Sequence, residues 1–182
     1  MAANDSAYLR VANGFGHTLS SVQDGQWENR TPCDEWNASE LVGHVVATHQ
    51  RVYSIVNPSG IDELDHDATL LDQWNVVTTT LRQALHDPVL ANAPVQTRAG
   101  EQPFSALVEG LVMIDTLCHT WDLARAIDAN ELLDEAAVAI AYDKLTEMGS
   151  AIRVPGGFKD PVAPHPHADA QTRFLNFTGR SV

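Results

Sequence analysis

DTLCHTWDLARA, residues 115–126, closes a long apolar segment, and its reading decides how the chain folds. Asp115, His119 and Asp122 recur at spacings of four and three, which places them on one face of a helix. Extended upstream, the same face takes in Phe104, Val108 and Leu111; downstream it reaches Ala126. The first half of that stripe is apolar and belongs in a core. The second half carries ionisable groups, and buried charge is costly unless it is paired, hydrogen-bonded or bound to a metal. Asp115 and His119 stand at i and i+4, with Cβ atoms about 6 Å apart on a helix. Both side chains can then reach one metal ion through bonds of about 2 Å.

A second helix is predicted upstream, over NASELVGHVVATHQRVYSIV, residues 37–56. Asn37 is its N-cap, Glu40 three residues later completes a capping box, and Asn57-Pro58-Ser59-Gly60 stops it. Leu41, Val45, Thr48, Val52 and Ile55 make its core stripe, with His44 beside it. If the two helices face each other, His44 meets Asp115 and His119. Two histidines and one carboxylate hold three positions and leave a fourth open, the pattern of catalytic rather than closed structural metal sites. Spacing alone also allows blander readings. His44 can be a hydrogen-bonded core histidine, and Asp115 with His119 a surface or buried ion pair without a metal.

The remaining elements are read in the same way. Residues 4–23 form a helix through Tyr8, Val11, Phe15, Leu19 and Val22, and another helix runs from Ala68 to Leu85. Residues 87–103 are a loop or short hairpin. The segment from Phe104 to Ile127 is one long helix, and Asp134 to Met148 another. Residues 154–166 are loop, and a short helix from Ala168 to Phe177 ends at Gly179, a natural C-terminal cap. No strand–helix alternation appears. The expectation is one all-α domain over residues 1–182, a helical bundle with short C-terminal extra elements.

The chain has 182 residues, 44% hydrophobic and 19% charged, with a formal net charge of -13, as a globular protein should. The acidic balance argues against non-specific nucleic-acid binding and against an anionic membrane surface. The start, MAANDSAYLR, does not read as a signal peptide, and no apolar run spans a bilayer. Two cysteines, Cys33 and Cys118, form no CxxC pair. A cytoplasmic protein with reduced thiols is the expectation.

Other polar residues are given lesser roles. His49 and His86 are expected in solvent. His165 and His167 alternate in a loop with no third ligand nearby. Cys33 is either a reactive thiol or a small packed residue, and Cys118 packs. Trp36 and Trp121 anchor the core or line a pocket. Asp122 orients a histidine, pairs with Arg125 or is simple helix polarity, and His49, Asp122 and Arg125 are candidates for the pocket wall. No general base is assigned.

Taken together, Thr31-Pro32-Cys33 with Trp36, Leu41-Val42 with His44-Val45, Asp115 followed by His119 and Trp121 to Ala126, and the ending Gly179-Arg180 resemble a known group. It is the DinB/YfiT-like superfamily of small metal-binding proteins, close to the N-terminal domain of mycothiol-dependent maleylpyruvate isomerase. The resemblance spans nearly the whole chain and rests on the order and spacing of the motifs. It implies an up-down-down-up four-helix bundle. It also implies a divalent metal, usually zinc and sometimes nickel, held by His44, Asp115 and His119. The activity it implies is a reaction of a mycothiol-type thiol at the open metal position, with a small-molecule thiol or electrophile as partner, giving S-transfer or isomerisation. Two departures accompany it: the isomerase carries Glu where this chain has Asp115, and it has a second domain for which this chain is too short. The substrate is therefore not carried over. A non-catalytic, metal-stabilised binding module is the alternative, and a homodimer through a helix face is an open expectation.

Overall fold

The structure, a computed structural model, describes residues 6–34, 36–62, 64–97, 100–154 and 157–182. The expected helix start at residue 4, the hairpin tip at 98–99, Glu35 of the PCDEW stretch and residues 155–156 of the expected loop lie outside them. Helix α1, Ala7–Ser20, starts where the Ser6 hydroxyl accepts the Leu9 amide (3.2 Å). Tyr8, Val11, Phe15 and Leu19 are buried along it, as their spacing requires. Helix α2, Ala38–Tyr53, opens on the predicted capping box. The Asn37 side chain accepts the Glu40 amide, and Glu40 accepts the Asn37 amide, both at 2.9 Å. Such a cap contributes about 1 kcal/mol and fixes the start of the helix that carries His44. Helix α3, Leu70–His86, comes next, then the single turn α4, Pro88–Ala91. The expected hairpin is present as β1, Pro94–Thr97, antiparallel to β2, Gly100–Pro103, with Val95 opposite Gln102.

The long apolar segment is helical throughout but not uniform. Phe104–Leu107 is α-helical, Val108–Val112 is π-helical, and Met113–Ala126 is α-helical again; the three together are α5. A π turn holds one residue more than an α turn, so the stripe above it does not continue in phase below. Leu111, expected on the buried face, is therefore 55% exposed, while Val108, Val112 and Met113 are fully buried. Ile55 also departs from the expected stripe, at 50% exposed, because α2 ends at Tyr53 and the chain has left helical phase. Helix α6, Glu135–Met148, is capped by Asp134, and α7 spans Ala170–Phe177.

The protein is all-α, as expected; among the described residues the only sheet is the two-stranded hairpin. Helix α1 packs on α5 and α3, and α2 packs on α3 and α5, so these four close a ring of contacts, while α7 lies on α6. Phe15, Leu41, Leu81, Phe104, Leu117 and Trp121 fill the interior, each contributing about 1.5–3 kcal/mol by burial. No helix among the described residues is long and apolar enough to cross a membrane.

Helix α7 ends in a tight reversal. Gly179 adopts φ 88°, a left-handed conformation that costs glycine little. Its amide donates to the Asn176 carbonyl (3.0 Å) and the Arg180 amide to that of Leu175 (3.0 Å), a Schellman ending. A Cβ at Gly179 would lie 2.5 Å from Lys159 Cβ. The turn reverses the chain and returns Arg180 to α5.

Candidate metal centre

Helices α2 and α5 bring His44, Asp115 and His119 together. One ligand atom from each lies within 4.8 Å of the other two. Asp115 Oδ1 is 3.5 Å from His44 Nε2 and 3.6 Å from His119 Nε2. These separations are long for charge-assisted hydrogen bonds. They lie at or just beyond the edge of a tetrahedral centre, about 3.3–3.5 Å for bonds of about 2.0–2.1 Å, and the third pair of donor atoms lies within 4.8 Å. Asp115 Oδ2 is buried without a hydrogen-bond partner, a cost that coordination of the carboxylate would offset. The donor set and its spacing thus fit a divalent ion.

The surroundings orient these donors. His119 Nδ1 lies 2.9 Å from Asp122 Oδ2. Asp122 is wholly buried and receives two more bonds from Arg180, Nε to Oδ1 at 3.0 Å and Nη2 to Oδ2 at 2.6 Å. An ionised Asp122 accepts a hydrogen bond from the Nδ1–H of His119, which leaves Nε2 directed at Asp115. Trp36 stacks on His44, with centroids 4.2 Å apart and planes at 27°, and meets His119 edge-on at 5.6 Å. Its loop is held by the Thr31 hydroxyl, which donates to the Trp36 carbonyl (2.9 Å), and by Lys159, whose ammonium meets Asp34.

The electrostatics are those of a strongly coupled cluster. Burial opposes ionisation of Asp115, but the charge of His119 and contacts with both imidazoles outweigh it and hold the carboxyl well below its usual range. Burial likewise disfavours the His119 imidazolium, yet Asp115 and Asp122 push its pKa up to about 9. Asp122 is held below its ordinary value because Arg180 and His119 overcome its desolvation.

The structure corrects His49: expected in solvent, it is fully buried. It lies between Tyr8 and Trp74, centroids 5.8 and 4.8 Å away, and its Nδ1 donates to the Val45 carbonyl (2.8 Å). Burial disfavours its charged form and brings its pKa down to about 4, despite the opposing pull of Val45 and Asp115. The unfolded group titrates at about 6.5, so this contribution is complete above that pH and is lost as the pH falls towards 4, by about 3 kcal/mol at most. Urea unfolding of His49→Gln is expected to show a shallower loss of stability than wild type over that window. Parallel losses would mean that His49 is not protonated on unfolding there.

Trp36 walls the cluster, whereas Trp121 is core, 1% exposed. Asp122 pairs with Arg180, and Arg125 turns outward to Glu131 (2.9 Å), away from the pocket wall. Cys118 is buried and its thiol is pushed up to about 12, chiefly by desolvation, which leaves it a packing residue. Cys33 is half-buried. His86, His165 and His167 are exposed, and among the described residues the only cluster spaced for a metal is His44, Asp115 and His119. Sequence reasoning missed the partnership of Arg180 with Asp122; its one signal was the Gly179-Arg180 ending.

A helical protein with a two-histidine, one-carboxylate cluster defines the class. Within it, residues 9–124 match the family described as mycothiol maleylpyruvate isomerase N-terminal domain, and the chain belongs to that family. It is similar to the uncharacterized protein Rv0738 of Mycobacterium tuberculosis strain H37Rv and to the uncharacterized protein MT0763 of strain CDC 1551. Each is 29% identical over 179 residues, covering 96% of this chain and 97% of the relative. No solved structure matches the chain.

Proposed function

We propose that this chain is a single-domain, up-down-down-up four-helix bundle that binds one divalent ion, zinc or nickel, through His44, Asp115 and His119. We further propose that the ion serves a low-molecular-weight thiol of the mycothiol class in S-transfer to a small electrophile or in isomerisation. The observation that carries this is the convergence of three donor atoms within 4.8 Å, beside a buried carboxylate oxygen with no other partner. The thiol class is supported by the family description. When bound, the ion would supply a Lewis acid that acidifies a ligating thiol. The chain's residues do the rest. His44 and His119 would present imidazole nitrogens, Asp115 would supply negative charge, Asp122 orients His119 through Nδ1, and the Trp36 ring covers one side.

Cobalt-substituted protein tests this reading. Added mycothiol is expected to raise a sulfur-to-cobalt charge-transfer absorption that saturates at one thiol per chain and is absent in His44→Ala. Cobalt binding with no response to mycothiol or simple thiols would remove the thiol from the proposal and leave a metal-binding module. Failure to bind cobalt or zinc would remove the metal as well.

A further inference from the structure

Arg180 lies beyond the matched segment 9–124, yet it bears on the metal cluster through one intermediary. Its guanidinium grips Asp122 with two parallel bonds, 3.0 Å to Oδ1 and 2.6 Å to Oδ2. This fork fixes the plane of the carboxylate as well as its charge. Oδ2 is the same atom that receives His119 Nδ1 at 2.9 Å. Rotation of Asp122 about its own bonds is thereby tied to the ring orientation of His119, whose Nε2 faces Asp115.

Arg180 is itself held. Its amide donates to the Leu175 carbonyl (3.0 Å), its carbonyl accepts Asn176 Nδ2 (2.8 Å), and its Nη1 reaches the Thr178 carbonyl at 3.3 Å. Its side chain is 11% exposed and that of Asp122 is fully enclosed. A surface arginine gains little from one carboxylate. One this buried, seated by a left-handed glycine at the preceding position, is built to a fixed geometry.

We infer that Arg180 is a positioning residue of the metal centre, so that the C-terminal segment, acting through Asp122 on His119, sets how tightly the ion is held. This rests on the metal reading proposed above. Partners one step removed from a metal ligand typically govern affinity by about 10–100-fold.

The test is zinc affinity, measured by competition with a chromophoric chelator, in wild type, Arg180→Gln, Asp122→Asn and the double variant. Arg180→Gln is expected to weaken zinc binding by about 10–100-fold. The double variant is expected to bind no more weakly than Asp122→Asn alone, since residues acting in one chain are non-additive. Arg180→Lys keeps the charge without the fork and should recover only part of the loss; it also serves if Arg180→Gln does not fold. Arg153→Ala is the control, because Arg153 holds the same helix end at the Phe177 carbonyl; it should leave zinc affinity unchanged. Wild-type affinity in Arg180→Gln would overturn the inference. So would losses that add in the double variant or appear equally in Arg153→Ala, since they would mark general loosening of the tail. A wild type that binds no zinc would instead overturn the metal centre itself, and this inference with it.

Discussion

The His119→Ala protein is expected to fold and to hold no metal, against one divalent ion per chain in wild type purified without a nickel column. His119 is one of three donors, and its loss leaves His44 Nε2 and Asp115 Oδ1, 3.5 Å apart, with no third His, Cys or carboxylate ligand among the described residues. The fall in zinc affinity should be at least about a hundredfold, since even partners that merely orient ligands are worth about 10–100-fold. Elemental analysis gives the stoichiometry. Thermal melts with and without chelator then give the stabilisation supplied by the ion, which should vanish in the variant because ligand binding stabilises only a protein that binds. A wild type that stays metal-free when zinc is offered, and melts identically with and without chelator, would reduce the cluster to a polar core pair.

The largest stability effect is expected at Asp122. The carboxylate is fully buried and holds the buried guanidinium of Arg180. Removing one partner of such a pair strands the other charge in the interior, at about 3–5 kcal/mol. Against a total stability of about 5–15 kcal/mol for a typical domain, Asp122→Ala should lower the urea midpoint by about a fifth or more. The measurement is made with chelator present, so that metal binding does not contribute. Asp122→Ala combined with Arg180→Met should be more stable than Asp122→Ala alone, because no charge is then left unpaired. A loss under about 1 kcal/mol in the single variant would place the pair among solvent-screened surface pairs.

Local order is legible in the sequence because it is made of near neighbours. The capping box at Asn37 and Glu40 needs three residues, and the Asp115–His119 pair needs one turn of helix. Both are properties of helical geometry, and both stand in the structure. The same logic fails when carried too far. Counting in α-helical phase puts Leu111 on the stripe, and the π turn at Val108–Val112 shifts the count by one. Polarity suggests exposure for His49. It is buried because Tyr8 and Trp74, from two other helices, close over the side of α2 that carries it.

By itself, then, the sequence determined the long helices, the caps at Asn37 and Gly179, and the shared face of Asp115, Asp122 and His119, since each follows from the helical turn and its hydrogen bonds. Tertiary structure alone decided that His44 approaches that face from α2, that Trp36 stacks upon it, and that Asp122 answers to Arg180, 58 residues away, rather than to Arg125. Arg125 is three residues from Asp122 and within reach by helical spacing. Arg180 has the partnership because the tail folds back at Gly179 into a dry site, where an unpaired Asp122 would cost most. Choices of that kind depend on which surfaces exclude water from which, and no local spacing carries that information.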